Sequence, residues 1–341
     1  MTPRVLVSIV TCDSARYLKP CLVSVRAQTW SEFTVCLWDN ASKDASLAIA
    51  AEFRNLLDML HSSNRNVGFC AAHNRIIASH PSDYVLVLNP DVWLEPSFLA
   101  TLVDALEQDP TAGSATGKLW RWDEAAQADG ASHIAQPARV LDTAGIYLTR
   151  NQRHLDRGSG ERDRGAYETR QYVFGASGAA AFYRRAMLDD VKEGAEWFDE
   201  SFFAYREDAD LAWRAQWRGW RCLYVPEARG FHVRKVLPER RAELPREINM
   251  HSFKNRFLLR IKNLDAAAYA RFLLPITARD FAALGYVLLR ERSSLKALPL
   301  LCKAFPRAWR LRKDLIRRRR ITPHEMRYWF RWQSAIRGGL E

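Results

Sequence analysis

Short apolar runs alternate with helical patterns along the first third of the chain. The runs Val5–Val10, Phe33–Trp38 and Val85–Leu88 are each four to six residues long and end at a polar turn. Apolar residues three or four positions apart follow each run, a spacing typical of helices that cover a sheet. This alternation predicts βαβ units and a mostly parallel, buried sheet.

The polar turns after these runs are the first candidates for a ligand site. Ligands of parallel sheets bind beyond the carboxyl ends of the strands, which selects Thr11–Asp13, Asp39–Ser42 and Asn89–Asp91. Asp39 could accept hydrogen bonds from a base or a ribose, and Asp91 could bind a divalent cation together with diphosphate oxygens and water. The same residue types are preferred helix caps and turn formers, so spacing alone leaves both interpretations open.

The rest of the chain divides into segments of different composition. Residues 121–170 are polar and weakly periodic, which predicts a long loop. Small residues fill Gly175–Tyr183, where backbone can approach a ligand closely, and Cys222–Val225 is predicted to form a short strand that ends at Pro226. The pattern is helical and basic from about Asn249. We therefore predict two regions, 1–248 and 249–341.

An acidic cluster begins the helix that the spacing predicts over Glu207–Trp220. Three carboxylates (Glu207, Asp208 and Asp210) fall within four residues, and their repulsion costs stability. A solvated first turn, favoured by the helix macrodipole, is one interpretation. Because aromatic residues flank the cluster, a partly buried general base is the other. His232 lies farther along the chain, and with Asp91 it could form a mixed oxygen and nitrogen site for Mn²⁺ or Mg²⁺.

Charge separates the two predicted regions. The chain of 341 residues has 51 Lys and Arg against 39 Asp and Glu, but residues 251–341 hold 21 basic and six acidic side chains, whereas the rest has a net charge of −3. The slightly acidic body argues against a nucleic-acid-binding protein. Arg317–Arg320 and the aromatic-rich segment 327–332 suit an anionic membrane surface. A nucleic-acid contact, a solvated helical face and an oligomer contact are the alternatives for this tail.

Cysteine usage and hydropathy bear on the compartment. The six cysteines include no CxxC pair, and the apolar run near the start is too short for a signal sequence. The longest apolar run of the tail, Phe281–Leu289, is nine residues long, against roughly 20 needed to span a bilayer. We expect a reduced, cytoplasmic protein that is at most peripheral on the inner face of the cytoplasmic membrane.

Five ordered motifs together resemble those of a known family. They are Trp38–Asp44 (WDNASKD), Asn64–Asn74 (NRNVGFCAAHN), Leu88–Val92 (LNPDV), Phe198–Arg214 (FDESFFAYREDADLAWR) and Phe231-His232. In this order they resemble the family 2 inverting glycosyltransferases of GT-A fold, above all their bacterial rhamnosyltransferase-like branch. The resemblance runs from Val5 to about His232. It implies an α/β fold with a Rossmann-like, mostly parallel sheet flanked by helices, followed here by the basic helical region.

The resemblance also implies roles for individual residues. Asp208 matches the catalytic base, and Asp91 and His232 match positions that bind a divalent cation, Mn²⁺ or Mg²⁺. Seven residues match the nucleotide-sugar-binding segments: Thr11, Asp13, Asp39, Asn66, Gly68, Asn74 and Asn89. This sequence departs from the family pattern at Asn89, which replaces a carboxylate of the metal motif, and at Cys12-Asp13, where relatives often have Tyr-Asn.

The activity implied is the transfer of a sugar from a nucleotide-diphosphate donor to a glycan or polyprenyl-linked saccharide in the synthesis of bacterial cell-envelope polysaccharide. L-Rhamnose from dTDP-rhamnose is the donor that the branch implies, and a UDP-hexose is the alternative. A non-catalytic nucleotide- or carbohydrate-binding protein on the same scaffold is the competing class. Such a protein is expected to lack Asp91 or Asp208, and both are present.

Overall fold

A mixed sheet with helices on both sides forms the body of the protein. The computed structural model describes residues 4–122, 139–234 and 245–330. The strands of the sheet are β1 (Val5–Thr11), β2 (Phe33–Asp39), β3 (Met59–Ser62), β4 (Tyr84–Leu88), β5 (Val92–Leu94), β6 (Ala112–Arg121), β7 (Leu141–Thr143), β10 (Gln171–Val173), β11 (Ala180–Arg184) and β12 (Arg221–His232). In the described ranges these ten strands form one sheet in the order β10-β12-β6-β11-β4-β1-β2-β3, with β5 paired to β12 and β7 to β6. Two apolar cores lie against the sheet, one of them continuous with the C-terminal helices.

The first half of the sheet is built from parallel βαβ units, as the apolar runs predict. Neighbouring strands pair in parallel in the order β3-β2-β1-β4, and every residue of β1 is buried. The weak edge strand β3 escapes prediction because two of its four side chains are exposed. The elements are β1 (Val5–Thr11), α1 (Ala15–Arg26), β2 (Phe33–Asp39), α2 (Ser46–Glu52), β3 (Met59–Ser62), α3 (Phe69–Ser79) and β4 (Tyr84–Leu88).

The second half of the sheet mixes strand directions. β11 lies antiparallel between β4 and β6, whereas β12 runs parallel to β6. The elements are β5 (Val92–Leu94), α4 (Phe98–Gln108), β6 (Ala112–Arg121), β10 (Gln171–Val173), β11 (Ala180–Arg184), α5 (Arg185–Val191), α6 (Glu207–Trp217) and β12 (Arg221–His232). The predicted fold class, an α/β fold with a mostly parallel sheet, is confirmed.

One predicted strand end is wrong. β12 does not stop at Pro226 but continues to His232, with a register shift between Val225 and Arg229 that admits a residue without a backbone N–H. The extension pairs His232 with Val92, the residue after Asp91. β12 therefore brings His232 next to Asp91, although the two residues are 141 positions apart in the sequence.

The prediction of a loop over residues 121–170 is wrong for much of the part of this segment that the structure describes. β7 (Leu141–Thr143) pairs with β6, and β8 (Ile146–Leu148) pairs with β9 (His154–Asp156). Strands of three residues are too short to show a period-two pattern, so these strands could not be predicted from hydropathy. Residues 123–138 of the predicted loop lie outside the described residues.

The C-terminal region is helical and packs on the body. Its helices are α7 (Arg246–Asn263), α8 (Ala266–Arg271), α9 (Leu273–Arg290), α10 (Ala297–Arg317) and α11 (Pro323–Met326). Leu258, Leu259 and Phe330 belong to the same apolar core as the sheet and α6, and the Trp329 indole donates to Gln216 Oε1 at 3.1 Å. The predicted boundary at 248/249 falls near the start of α7, and a division into two domains stays a prediction.

Carboxylates of the body neutralise part of the basic tail. Arg307 pairs with Glu196 and Asp199, and Arg320 lies 3.3 Å from the Asp190 carboxylate, whereas Arg318 donates to the backbone carbonyl of Asp190. Part of the basic charge that was predicted to face an external anion therefore stabilises the fold. Among the described helices, none is both long and apolar enough to cross a membrane.

Candidate active site

A cleft of about 1090 Å³ opens where the carboxyl ends of the central strands meet the C-terminal helices. The sheet side contributes the turns that follow β1 and β4, the end of β12 and the start of α6. Residues 151–156 form a second wall, and α7 and α9 form a third. Of the residues that the sequence predicts for the site, four line this cleft: Asn89, Asp91, Asp208 and His232.

Asp91 and His232 face each other across the junction of β5 and β12. His232 Nε2 lies 3.4 Å from Asp91 Oδ1, and both residues line the cleft. Among the described residues, no group of three or more His, Cys, Asp or Glu side chains could hold a metal ion. A cation at this point would take one carboxylate and one imidazole from the protein and complete its shell with ligand oxygens and water.

Asp142 at the middle of β7 fixes the other side of His232. Its Oδ2 lies 2.7 Å from His232 Nδ1, and Arg234 Nε lies 3.0 Å from its Oδ1. Burial opposes the charged imidazolium, but the carboxylates of Asp142 and Asp91 outweigh it and raise the pKa of His232 to about 10. Asp142 was missed because it lies in the segment predicted as a loop.

The three carboxylates of the acidic cluster occupy three different environments. Asp210 is fully buried and accepts hydrogen bonds from Arg214 Nε at 2.9 Å, Lys262 Nζ at 2.9 Å and Asn263 Nδ2 at 2.7 Å. Asp208 and Glu207 instead line the cleft. Repulsion within the cluster is thus limited by directing one carboxylate into a buried ion network.

Asp208 is oriented by two backbone N–H groups. Gly178 N donates to Oδ2 at 3.0 Å, and Ala209 N donates to Oδ1 at 2.7 Å. Burial raises the pKa of Asp208 to about 6, against the effect of the Gly178 hydrogen bond. Burial, helped by the charge of Asp208, raises the pKa of Glu207 to about 8. The pKa of Glu207 is thus raised further than that of Asp208, which favours the proton on Glu207 and the negative charge on Asp208, a separation typical of acid–base sites.

The loop that precedes Asp208 has an unusual backbone. Phe203, Tyr205 and Arg206 have φ angles of 68°, 71° and 74°. Left-handed conformations of such bulky residues cost about 1–3 kcal/mol each and persist only where the surroundings impose them. We call residues 203–206 the strained loop.

Asn255 of α7 imposes this conformation together with Gly68. The Asn255 amide donates to the carbonyls of Phe202 at 2.9 Å, Ala204 at 2.8 Å and Tyr205 at 2.7 Å. Gly68 has a φ of +88°, and a Cβ there would lie 2.6 Å from the Phe203 ring. The C-terminal region therefore shapes the segment that carries the predicted base.

Thr11, Asp13 and Asp39 lie at the end of the sheet beside Cys12, which lines the cleft. Thr11 pairs with Asp39 in the β1–β2 register, and both are buried. Asp39 Oδ2 accepts from the Ser42 N–H at 3.1 Å, a turn contact and not a helix cap because α2 begins only at Ser46, and its Oδ1 is buried and without a hydrogen-bond partner. Asp13 Oδ1 accepts from the Lys43 N–H at 2.6 Å.

Asn66 and Asn74 have different surroundings. Asn66 Oδ1 accepts from the Gly68 N–H at 2.8 Å, and its amide lies 3.7 Å from Cys12 Sγ. Asn74 is buried on α3, where it accepts from the Phe198 N–H at 2.9 Å and donates to the Phe198 carbonyl at 2.8 Å. Asn74 does not line the cleft, and these contacts are with the Phe198 backbone, so its contact with the nucleotide sugar stays a prediction.

Comparison with known proteins agrees with this architecture. Residues 6–192 match the family model described as Glycosyl transferase family 2. Over 245 residues the chain is 29% identical to the N-acetylglucosaminyl-diphospho-decaprenol L-rhamnosyltransferase of Mycobacterium tuberculosis. The matched region covers 68% of this chain and 76% of that relative.

Solved structures of low identity share the fold. S. aureus TarS 1–349 in complex with UDP-GlcNAc superposes with a TM-score of 0.54 at 17% identity, over 97% of this chain and 91% of that chain. The match to a longer S. aureus TarS chain covers 55% of that chain. The mannosyltransferase PcManGT from Pyrobaculum calidifontis, in complex with GDP-Man and Mn²⁺, gives a TM-score of 0.51 at 15% identity over 98% and 85% of the two chains. The matched family and the shared fold confirm the resemblance seen in the motifs: this chain belongs to glycosyl transferase family 2 and has a GT-A fold.

Proposed function

We propose that the protein transfers a sugar, with inversion at the anomeric carbon, from a nucleoside-diphosphate donor to a glycan or polyprenyl-linked saccharide. The observation that carries this proposal is the single cleft in which Asp208 lies together with Asp91 and His232. We propose dTDP-rhamnose as the donor because the mycobacterial relative is named as a rhamnosyltransferase. That relative's name also supports a lipid-linked acceptor.

Asp208 is the proposed general base. As the acceptor oxygen attacks the anomeric carbon from the side opposite the leaving diphosphate, the hydroxyl proton passes to the Asp208 carboxylate. The N–H groups of Gly178 and Ala209 hold this carboxylate in place. Positioned general bases contribute about 10²–10⁴-fold to a rate. A neutral Glu207 next to Asp208 adds no second negative charge near the nucleophile.

Asp91 and His232 are the proposed ligands of a divalent cation, Mn²⁺ or Mg²⁺. One carboxylate oxygen and one imidazole nitrogen, 3.4 Å apart on the cleft wall, are a donor set that fits such a cation, which would displace the proton from Nε2 of the charged imidazolium as it binds. When bound, the cation would neutralise charge that develops on the leaving diphosphate. Asp142 would hold the remaining imidazole proton on Nδ1 and so direct Nε2 into the cleft.

The end of the cleft at Cys12 is the proposed nucleotide subsite. Asp39 offers a buried carboxylate oxygen without a protein partner, suited to accept a hydrogen bond from a base N–H. Thr11, Asp13, Asn66, Gly68 and Asn89 surround this end and shape it. Asn74 is not part of the proposal because its amide holds the Phe198 backbone.

Donor binding tests the proposal. Calorimetric titration with dTDP-rhamnose, UDP-hexoses and GDP-mannose, with Mn²⁺, with Mg²⁺ and with EDTA, is expected to select dTDP-rhamnose in a metal-dependent way. Asp91→Ala should lose this binding, whereas Asp104→Asn, an exposed carboxylate on α4, should keep it. If the protein instead binds a UDP-hexose in preference to dTDP-rhamnose, the proposed donor is wrong and the UDP-hexose takes its place. Binding without transfer to any saccharide acceptor would favour the non-catalytic scaffold instead.

A further inference from the structure

The outward face of α9 is apolar along its whole length. Leu274, Phe281 and Leu289 are 82%, 71% and 79% exposed, and Leu288 is also exposed. The residues between them on this face are Ala278, Ala282 and Gly285. Positions 274, 278, 281, 285 and 288 are three or four apart, so they form one stripe down the helix. We call these seven residues the outer stripe.

Packing of the protein does not explain the outer stripe. The opposite side of α9 supplies the buried residues Ile276, Ala283 and Val287, which already attach the helix to its neighbours. A helix that is apolar on both sides normally has a second apolar environment. Contiguous exposed apolar surface of this kind marks a contact with a membrane or a protein.

Charge around the outer stripe identifies the partner. Between residues 271 and 296 the exposed charged side chains are all basic: Arg271, Arg290, Arg292 and Lys296. Of the two acidic residues in this range, Asp280 pairs with Arg260 at 2.7 Å, and Glu291 is buried. The basic residues precede and follow the stripe but do not interrupt it. This is the pattern of a helix that lies in the plane of an anionic lipid surface.

The same helix forms a wall of the cleft. Ala282, Ala283, Tyr286 and Val287 line the cleft, and Tyr286 is also exposed. A bilayer under the outer stripe would therefore adjoin the cleft, where a lipid-linked acceptor could enter without leaving the membrane. In the aromatic-rich segment 327–332, Trp329 and Phe330 are buried in the core and Tyr328 is exposed, whereas residues 331–332 lie outside the described residues.

We propose that the outer stripe of α9 and its four flanking basic residues dock the protein on an anionic lipid bilayer. The delivery of a lipid-linked acceptor rests on the function proposed above, whereas the docking itself does not. Each basic residue near an anionic surface is expected to strengthen binding about fivefold, and the large apolar side chains add contact with the acyl boundary.

Vesicle co-sedimentation of the full chain tests the proposal. Wild-type protein is expected to bind vesicles of equal parts phosphatidylcholine and phosphatidylglycerol, and to bind phosphatidylcholine alone much more weakly. The triple variant Leu274→Ser, Phe281→Ser, Leu289→Ser should lose at least about tenfold in affinity, since all three side chains point away from the core. Arg290→Gln with Arg292→Gln should lose about 25-fold.

A matched control substitutes exposed apolar residues elsewhere. Val23→Ser with Leu47→Ser changes residues that are 38% and 37% exposed on α1 and α2, and it should bind as wild type. Equal binding by the triple variant and wild type would overturn the proposal, and so would equal binding to the two vesicle types. Loss of a solution dimer in the triple variant, with vesicle binding unchanged, would assign the stripe to contact between copies.

Vesicle binding needs no catalytic turnover, so the two proposals fail separately. Asp208→Asn should bind vesicles as wild type does even where transfer is lost. If vesicle binding fails while sugar transfer from dTDP-rhamnose persists, only the docking proposal falls.

Discussion

Asn255 on α7 holds the loop that precedes Asp208, the predicted base, so substitution of Asn255 is expected to affect both folding and activity. This residue is fully buried, and its amide reaches the carbonyls of Phe202, Ala204 and Tyr205. Asn255→Ala removes all of these hydrogen bonds and leaves buried carbonyls without them. At about 1 kcal/mol for each bond, the free energy of unfolding should fall by about 2–3 kcal/mol.

The effect on activity should exceed the effect on folding. Phe203, Tyr205 and Arg206 would each gain about 1–3 kcal/mol by leaving their left-handed conformations, so the freed loop is expected to relax. Asp208 follows directly and would move with it. A misplacement of about 1 Å can cost about 10²-fold in rate, so kcat should fall about 10–100-fold while the donor dissociation constant changes little.

Asn263→Ala supplies a matched control for this experiment. Asn263 is also a fully buried asparagine of α7, but its amide donates to Asp210 Oδ1 and to the Leu259 carbonyl. Urea denaturation should show a similar loss of stability in both variants, whereas steady-state transfer assays should show the large fall in kcat only for Asn255→Ala. If kcat of Asn255→Ala stays within about twofold of Asn263→Ala, the loop is not held by Asn255 and the reasoning is refuted.

Three further predictions concern the site and its support. Asp208 acts as a base only when it is ionised, and its pKa is about 6, so kcat should rise with pH through about 6 and level off above it. A pH–rate profile that is flat across this range would contradict the assignment of Asp208 as the base. Asp142→Asn should weaken Mn²⁺ binding about 10–100-fold in a direct titration, with the thermal midpoint followed as a folding control, since Asp142 orients His232; unchanged Mn²⁺ affinity would remove its positioning role. Lys262→Met leaves Glu193, Asp199 and Asp210 without their shared cation and should cost about 3–5 kcal/mol in urea denaturation, whereas Lys19→Met, which breaks an exposed pair with Glu52, should cost at most about 1 kcal/mol.

The central strands and the turns that follow them could be predicted from the sequence. β1, β2 and β4 contain largely apolar runs, because a sheet covered on both faces buries its central positions: every residue of β1 and β4 is buried, and so are the last five of β2. The rule that ligands bind beyond the carboxyl ends of strands then selected Asp91 without any structure, and Asp91 lines the cleft. For the acidic cluster and for His232, residue chemistry left alternatives open, and the motifs of the family selected Asp208 as the base and His232 as a cation ligand.

The supporting residues could not be predicted because tertiary contacts place them. Asp142 lies in a strand of three residues, and β12 continues through a proline that local rules treat as a strand end. On α7 the buried face is polar, with Asn255, Lys262 and Asn263 beside Leu258 and Leu259. Prediction from hydropathy assigns polar residues to the solvent side, so it places this face of α7 outward. The helical spacing of these polar residues beside leucines was a signal in the sequence that could have indicated a buried polar face.

The central claim is that Asp208 accepts the proton of the acceptor in a family 2 transferase. The most direct measurement is the rate of rhamnose transfer by Asp208→Asn at saturating dTDP-rhamnose and acceptor, with donor binding measured separately and Asp104→Asn as the control for loss of a carboxylate. We expect the Asp208→Asn rate to be lower by about 10²–10⁴-fold with donor affinity retained, and Asp104→Asn to match wild type. A near-normal rate for Asp208→Asn would contradict the account.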